Sequence, residues 1–272
     1  LELQIEEQQM DLLITLIAAV VGYILGSISF ARIVANWVVP GEDITKTEIK
    51  SPVGDQVFEM TSVSATSISF RRGPKYGCLI GLLDILKATI PVLFFKLAFP
   101  NDFYFLITAV MCVVGHNFPL QHRFKGGRGV SPILGGLIVV DFLAVPVTLI
   151  LSIGLGLVVF RDVLIAYTGF IPLLVLWFWL RFDEPAYLLY ALAINFVFWP
   201  AMWPELIQYI QVKRSGDRAR EQDFWAQLEV TDMGRSIKHL RRFGLIKDNK
   251  RVENAEADQS LKDITIDEEL WE

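Results

Sequence analysis

Long apolar runs alternate with short polar breaks through the first 210 residues, and then the pattern stops. The first run covers about Asp11 to Val39, the second Tyr76 to Phe99 and the third Phe103 to Phe118, with Pro100-Asn101-Asp102 as the turn between the last two. The stretch from Val130 to Phe160 is too long for one crossing at ~1.5 Å per residue, so it predicts two helices broken near Asp141 to Pro146. The sixth run spans about Val163 to Leu180. The seventh spans about Ala186 to Ile207, where Pro200 and Pro204 predict a kink. Runs of about 17–25 apolar residues match the thickness of a bilayer. The pattern therefore predicts an all-α, polytopic membrane helix bundle of about seven transmembrane helices over residues 11–210, followed by a short, charged cytoplasmic tail over residues 211–272.

Composition sharpens that division. Of the 272 residues 53 % are hydrophobic and the mean hydropathy is +0.44, too apolar for an ordinary soluble domain, whereas 26 of the last 60 residues are charged. In the tail Phe224, Trp225, Leu228 and Val230, then Met233, Ile237, Leu240, Phe243 and Leu245, recur at helical spacing among Arg235, Lys238, Arg241 and Arg242. An amphipathic helix on an anionic membrane surface and a small cap on the membrane domain both fit. The net charge of −5, concentrated near Asp267, Glu268 and Glu269, argues against a nucleic-acid partner. Cys78 and Cys112 lie in apolar surroundings and read as two buried membrane-helix cysteines.

The basic residues orient the bundle. Lys46, Lys50, Arg71, Arg72 and Lys75, then Arg123, Lys125 and Arg128, then Arg161, then Lys213 and Arg214 all fall on one side of a seven-span chain. Arg181 and Lys96 are left for the other. The positive-inside rule then puts the N-terminus outside and the C-terminus in the cytoplasm of a cell inner membrane. Leu1 to Met10, with three Glu and no Lys or Arg, fits an outer N-terminus and lacks the basic start of a secretory signal.

Candidate chemistry gathers on the cytoplasmic side. Phe124-Lys125-Gly126-Gly127-Arg128-Gly129 joins two apolar runs. Gly126, Gly127 and Gly129 allow backbone amides to approach an anion, and Lys125 and Arg128 add charge suited to phosphate. A topogenic basic loop with helix-capping glycines is the competing reading. The spacing is not that of a nucleotide-binding P-loop. His116 ends a span beside Asn117 and reads as a phosphate donor, a base or a structural histidine. Asp84 and Lys87 lie three apart on one helix face, where ionisable groups need partners or water. Lys87, Arg71 and Arg72 are further candidates for a substrate phosphate. Ser27, Ser29 and Tyr23 line a cavity or pack helices together. The three histidines lack the spacing of a metal site; no metal and no cofactor are implied.

Three segments together resemble the acyl-phosphate-dependent glycerol-3-phosphate acyltransferases of the PlsY family. Gly26-Ser27-Ile28-Ser29-Phe30 is similar to the family's Gly-Ser-Ile-Pro-Phe. Asp84-Ile85-Leu86-Lys87-Ala88 is similar to its Asp-x-x-Lys-Gly. Gly115 to Val130 follows Gly-His-x-Phe-Pro-x₄-Phe-x-Gly-Gly-Lys-Gly-Val, with Arg128 for the lysine. The resemblance covers about residues 12 to 217. Elsewhere the chain departs from it. The arginine of the family's first-loop Asp-Ile-Arg falls on Thr45, and its serine–asparagine motif falls on Glu59 to Ser67, where only Ala65 and Thr66 survive and Met60, Ser62 and Ser67 replace the site residues. Its last motif falls on Leu206 to Lys213, with Tyr209 at an asparagine position.

The resemblance implies a membrane enzyme that transfers an acyl group from acyl phosphate to glycerol 3-phosphate, forming lysophosphatidic acid in phospholipid synthesis among membrane lipids. Lys125 and Arg128 then neutralise the departing phosphate, while His116 with Ser62 or Ser64 organises the acceptor or the oxyanion, and Asp84, Asn117, Thr66, Ser27 and Ser29 line or support the cavity. The departures keep an alternative open: a non-catalytic or divergent membrane protein that binds a phosphorylated lipid or anion, or serves as a subunit beside membrane-protein partners.

Overall fold

The computed structural model describes residues 2–45, 47–50, 57–60, 62–160 and 162–214. The helices run in the order α1 Glu2–Ser27, α2 Phe30–Val38, α3 Ala65–Arg72, α4 Pro74–Ala98, α5 Tyr104–Asn117, α6 Val130–Val140, α7 Ala144–Gly154, α8 Val163–Thr168, α9 Phe170–Arg181 and α10 Pro185–Arg214. Two compact units divide the chain. One holds residues 1–45 and 62–204, the other residues 46–61 and 205–272. In the second unit β1 Thr47–Lys50 pairs antiparallel with β2 Val57–Met60, Thr47 opposite Met60. This hairpin is the one departure from a wholly helical architecture among the described residues. The stretch between the first two apolar runs thus holds local structure of its own. The amphipathic pattern expected over 224–245 lies outside the described residues.

Among the described residues four helical stretches are long and apolar enough to cross a membrane: Gln8–Val38, Pro74–Ala98, Tyr104–His122 and Pro185–Gln211. Val130–Val140, Ala144–Phe160 and Phe170–Arg181 are shorter apolar helices. The break expected near Asp141 is present, and the Asp141 carboxylate accepts the Leu143 amide at 3.2 Å. Pro200 and Pro204 lie inside α10 without ending it. The first span is where the prediction misses. α1 stops at Ser27 and α2 starts at Phe30, leaving Ile28 and Ser29 outside either helix. Non-helical backbone at membrane depth needs partners for its polar groups. Ser27 O accepts Gln121 Nε2 at 2.6 Å, Ile28 O accepts Lys87 Nζ at 2.6 Å, and Ser29 caps α2 by accepting the Arg32 amide.

The core of the first unit is Phe170, Ile171, Leu174 and Phe178 of α9 against Ile194 and Phe198 of α10, with Ile133 and Leu137 of α6 and Val113 of α5. Large apolar side chains remain exposed on the outer faces, among them Leu16 and Val20 of α1, Ile90 and Phe94 of α4 and Phe196 of α10. Water would not tolerate so extensive a belt, whereas lipid does. α1 and α5 approach closely because glycines face backbone. A Cβ at Gly26 would stand 2.2 Å from Cys112 O, and one at Gly115 would stand 2.2 Å from Tyr23 O. Small residues bring membrane helices together in this way.

Gly26→Val is therefore expected to destabilise the protein by about 1–3 kcal/mol or more through overpacking. Gly154→Ala, with nothing within 4 Å of the added carbon, is expected to gain about 0.5–1 kcal/mol from reduced backbone entropy in the unfolded chain. Thermal unfolding in detergent distinguishes the two; equal melting temperatures would contradict the close-approach account.

Candidate active site

The Ile28–Ser29 break opens a narrow cleft. Gly26, Ser27, Ile28, Ser29, Phe30 and Ala31 line one side, and Val63, Asp84, His116, Pro119, Gly126 and Gly127 the others. Residues far apart in sequence meet here because α1 and α5 are locked together and α4 packs beside both. Tyr23 Oη ties the end of α5, donating to Phe118 O at 3.0 Å and accepting the Leu120 amide at 3.0 Å.

Lys87 is the most constrained group in the cleft wall. Its ammonium lies 2.6 Å from Ile28 O, 2.7 Å from Asp84 Oδ1 and 3.0 Å from His116 Nδ1, with Phe30 stacked 5.8 Å away. A lysine ammonium has three protons to donate, and here it faces three acceptors. Both charged side chains are 3 % exposed, so each depends on the other for compensation. Asp84 and Lys87 form the expected pair. Lys87 is not an open phosphate ligand, because its donors are already committed.

The same contact assigns the histidine. An ammonium cannot accept a hydrogen bond, so His116 Nδ1 is the acceptor and the ring proton sits on Nε2. Nε2 faces Gly127, where a Cβ would stand 2.1 Å from it. His116 is thus arranged as a hydrogen-bond donor at Nε2 rather than as a base.

The glycine-rich loop folds back over this histidine. The Gly127 amide donates to His116 O at 3.1 Å, and the Val63 amide donates to Gly126 O at 3.2 Å. Gly127 therefore provides room and a tether, while its own amide is not available to an anion. Arg123 and Phe124 adopt left-handed backbone, φ 53° and 61°, a cost for residues with a Cβ. The turn is held by the Phe124 amide on Pro119 O and the Lys125 amide on His122 O. Gly129, at φ +85°, starts α6 and packs against the buried Asn117 side chain, whose amide reaches Val197 O at 3.4 Å. The first amides of α6, which lack intrahelical acceptors, follow the loop directly. Lys125 is exposed and Arg128 half-buried. Burial pushes the Arg128 guanidinium down to about 10, opposed by nearby Tyr167, and leaves it a cation at neutral pH.

Several expected site residues turn out to be occupied elsewhere. Ser64 is the N-cap of α3, in a reciprocal capping box with Ser67. Such a cap consumes its hydroxyl. Ser62 is buried, with its hydroxyl 3.5 Å from that of Ser64, and reaches the cleft only through its neighbour Val63. Thr66 sits in the first turn of α3 and is not among the lining residues. Arg71 pairs with Glu42 at 2.8 Å and donates to Asp43 O, and Arg72 lies 3.8 Å from Glu42. Neither arginine lines the cleft. Ser27 and Ser29 do line it. Arg32, which carries no motif, donates from Nη2 to Lys125 O at 3.0 Å. Its only sequence signal is a basic residue three positions after a capping serine.

Lys87→Met, which strands Asp84, is expected to cost about 3–5 kcal/mol, and Asp84→Asn/Lys87→Met to recover most of it. Thermal unfolding of both variants checks the pair; additive losses would contradict mutual compensation.

The chain is similar to known proteins over most of its length. A family model described as glycerol-3-phosphate acyltransferase matches residues 16–208. A glycerol-3-phosphate acyltransferase 1 of Oceanobacillus iheyensis is 28 % identical over 189 residues, 66 % of this chain and 81 % of that one. A glycerol-3-phosphate acyltransferase 2 of Thermotoga maritima is 37 % identical over 117 residues, and there the alignment spans 43 % of this chain and only about half, 53 %, of the relative. The crystal structure of PlsY, an integral membrane glycerol 3-phosphate acyltransferase, in its glycerol 3-phosphate form superposes with a TM-score of 0.60 at 26 % identity, covering 72 % of this chain and 92 % of that one.

Proposed function

The chain belongs to the glycerol-3-phosphate acyltransferase family, and from that premise we propose that it transfers an acyl group from acyl phosphate to the 1-hydroxyl of glycerol 3-phosphate. The products are lysophosphatidic acid and inorganic phosphate. The observation that carries the reading is the basic glycine loop folded over the donor-oriented imidazole of His116, with Lys125 and Arg128 flanking Gly126 and Gly127 in the chain just before α6.

The acceptor oxygen forms a bond to the acyl carbon, and the bond from that carbon to the phosphate oxygen breaks. The hydroxyl proton leaves with the phosphate. Because phosphate departs readily, the protein needs no strong base. Its task is to hold an acyl phosphate, a mixed anhydride, in line with the hydroxyl of a phosphate ester and to stabilise the carbonyl oxygen as it gains charge. His116 Nε2–H is the oxyanion donor in this scheme. Lys125 and Arg128 neutralise phosphate, Arg128 with a planar fork and Lys125 as a mobile point charge. Gly126 and Gly129 leave space for the ester, and Asn117 fixes the loop from beneath. Ser62 supports the wall through Val63, while Ser64, Arg71 and Arg72 shape the first loop rather than act on substrate.

Seven crossings, an outer N-terminus and a cytoplasmic site complete the proposal. Their support is the hydropathy pattern and the clustering of Arg71, Arg72, Arg123, Lys125 and Arg128 on the cleft side of the chain. A cell inner membrane is the matching location, with membrane lipids as its surroundings.

Purified protein given palmitoyl phosphate and labelled glycerol 3-phosphate should yield labelled lysophosphatidic acid. Arg128→Ala should reduce turnover by about a hundredfold or more. No product from the unmodified chain, with an active relative run in parallel, would overturn the acyl-transfer reading, and undiminished turnover by Arg128→Ala would remove the loop from it.

A further inference from the structure

We propose that Arg32 binds the phosphate of a phosphate monoester, supplying from α2 the guanidinium that the first loop lacks. Its position is defined at both ends. Ala31, its chain neighbour, lines the cleft, and so does Gly126, the neighbour of the Lys125 whose carbonyl Arg32 holds. The side chain therefore bridges α2 to the glycine-rich loop beside the cleft.

The guanidinium is a planar fork with five N–H donors and no acceptor. Nη2 is committed to Lys125 O at 3.0 Å. Nε is buried and has no hydrogen-bond partner among the described residues. A stranded buried donor costs about 1–3 kcal/mol, more for a charged group, and native proteins leave few of them. A fork anchored by one arm and lacking an acceptor at Nε is arranged for an acceptor that arrives from outside. A phosphate dianion suits it best, because paired N–H donors match two of its oxygens.

The neighbouring charges agree. Asp43 and His122 are the titratable groups that face Arg32, and Asp43 in turn faces Arg71 and Lys125. Asp43 does not form an ion pair with Arg32. Its Oδ1 accepts both the amide and the hydroxyl of Thr45, at 2.9 and 2.7 Å, and these bonds, before any charge, hold its carboxyl below the usual carboxylate range. Thr45 is the position at which the resemblance places an arginine. The basic group missing from that loop is matched by one reaching in from α2.

The identity of the ester rests on the acyl-transfer reading, but binding does not require turnover, so the two fail separately. The test is calorimetric titration of the purified chain with glycerol 3-phosphate and with palmitoyl phosphate, for the unmodified protein, Arg32→Met, Arg32→Lys and Arg32→Met/Thr45→Arg, with melting temperatures taken alongside. Arg32→Met is expected to bind one of the esters about tenfold more weakly or worse, at a melting temperature close to that of the unmodified protein. The weakened ester identifies the phosphate that Arg32 holds. Arg32→Lys should be intermediate, and Thr45→Arg should restore part of the loss. Affinities within twofold for both esters would overturn the proposal, as would a fall in melting temperature with no change in affinity. An unmodified chain that binds neither ester would overturn it as well. Binding without turnover would refute acyl transfer and leave Arg32 in place.

Discussion

Two helices meet more closely than side chains allow, and the cleft exists because of it. At Gly26 and Gly115 the backbones of α1 and α5 touch where any Cβ would collide with a carbonyl or its neighbour. This contact fixes the end of α1 against the end of α5. From there Tyr23 reaches Phe118 and Leu120, and Gln121 reaches Ser27. The glycine-rich loop leaves α5 from a clamped base, and its left-handed turn at Arg123 and Phe124 is affordable only because both flanks are held. Removing the close approach would leave the loop's composition intact and its position undefined.

The polar groups in this cleft are distributed by satisfaction rather than by proximity. Lys87 lies closest to the histidine, yet its three protons already face Ile28, Asp84 and His116. It works as an organiser: it closes a broken helix, balances a buried carboxylate and sets an imidazole tautomer. Arg71 likewise donates to Glu42, and the Ser64 hydroxyl accepts the Ser67 amide at the start of α3. Beside the cleft, Lys125 is exposed, Arg32 Nε is buried without a hydrogen-bond partner among the described residues, and Nε2 of His116 faces Gly127.

Hydropathy placed the helices, and motif spacing placed the loop and the Asp84–Lys87 pair, because both leave a local trace. The break between Val140 and Ala144 was equally legible, since Asp141 interrupts an overlong apolar run. The break at Ile28 and Ser29 was not. No glycine or proline marks it, and its carbonyls are satisfied by Lys87 and Gln121, some 59 and 94 residues away in the chain. Ser27 and Ser29 had two readings, lining a cavity or packing helices; both line the cleft, and Ser29 also caps α2. Arg71 and Arg72 were read by charge alone, and charge does not reveal that Glu42 has already claimed them. Arg32 escaped because a lone arginine near the end of an apolar span reads as a snorkelling residue.

The Asp84–Lys87 pair also bears on how such a chain enters its membrane. Two opposite charges on one helix, a single turn apart, travel together. α4 can therefore pass from the insertion machinery into lipid as a nearly neutral dipole rather than as a segment carrying two separate ions, each of which would be costly in hydrocarbon. The remaining donors of Lys87 find Ile28 in the break between two earlier helices and His116 on a later one. Biogenesis thus has an order written into it: α1 is already waiting when α4 arrives, and α5 completes the set.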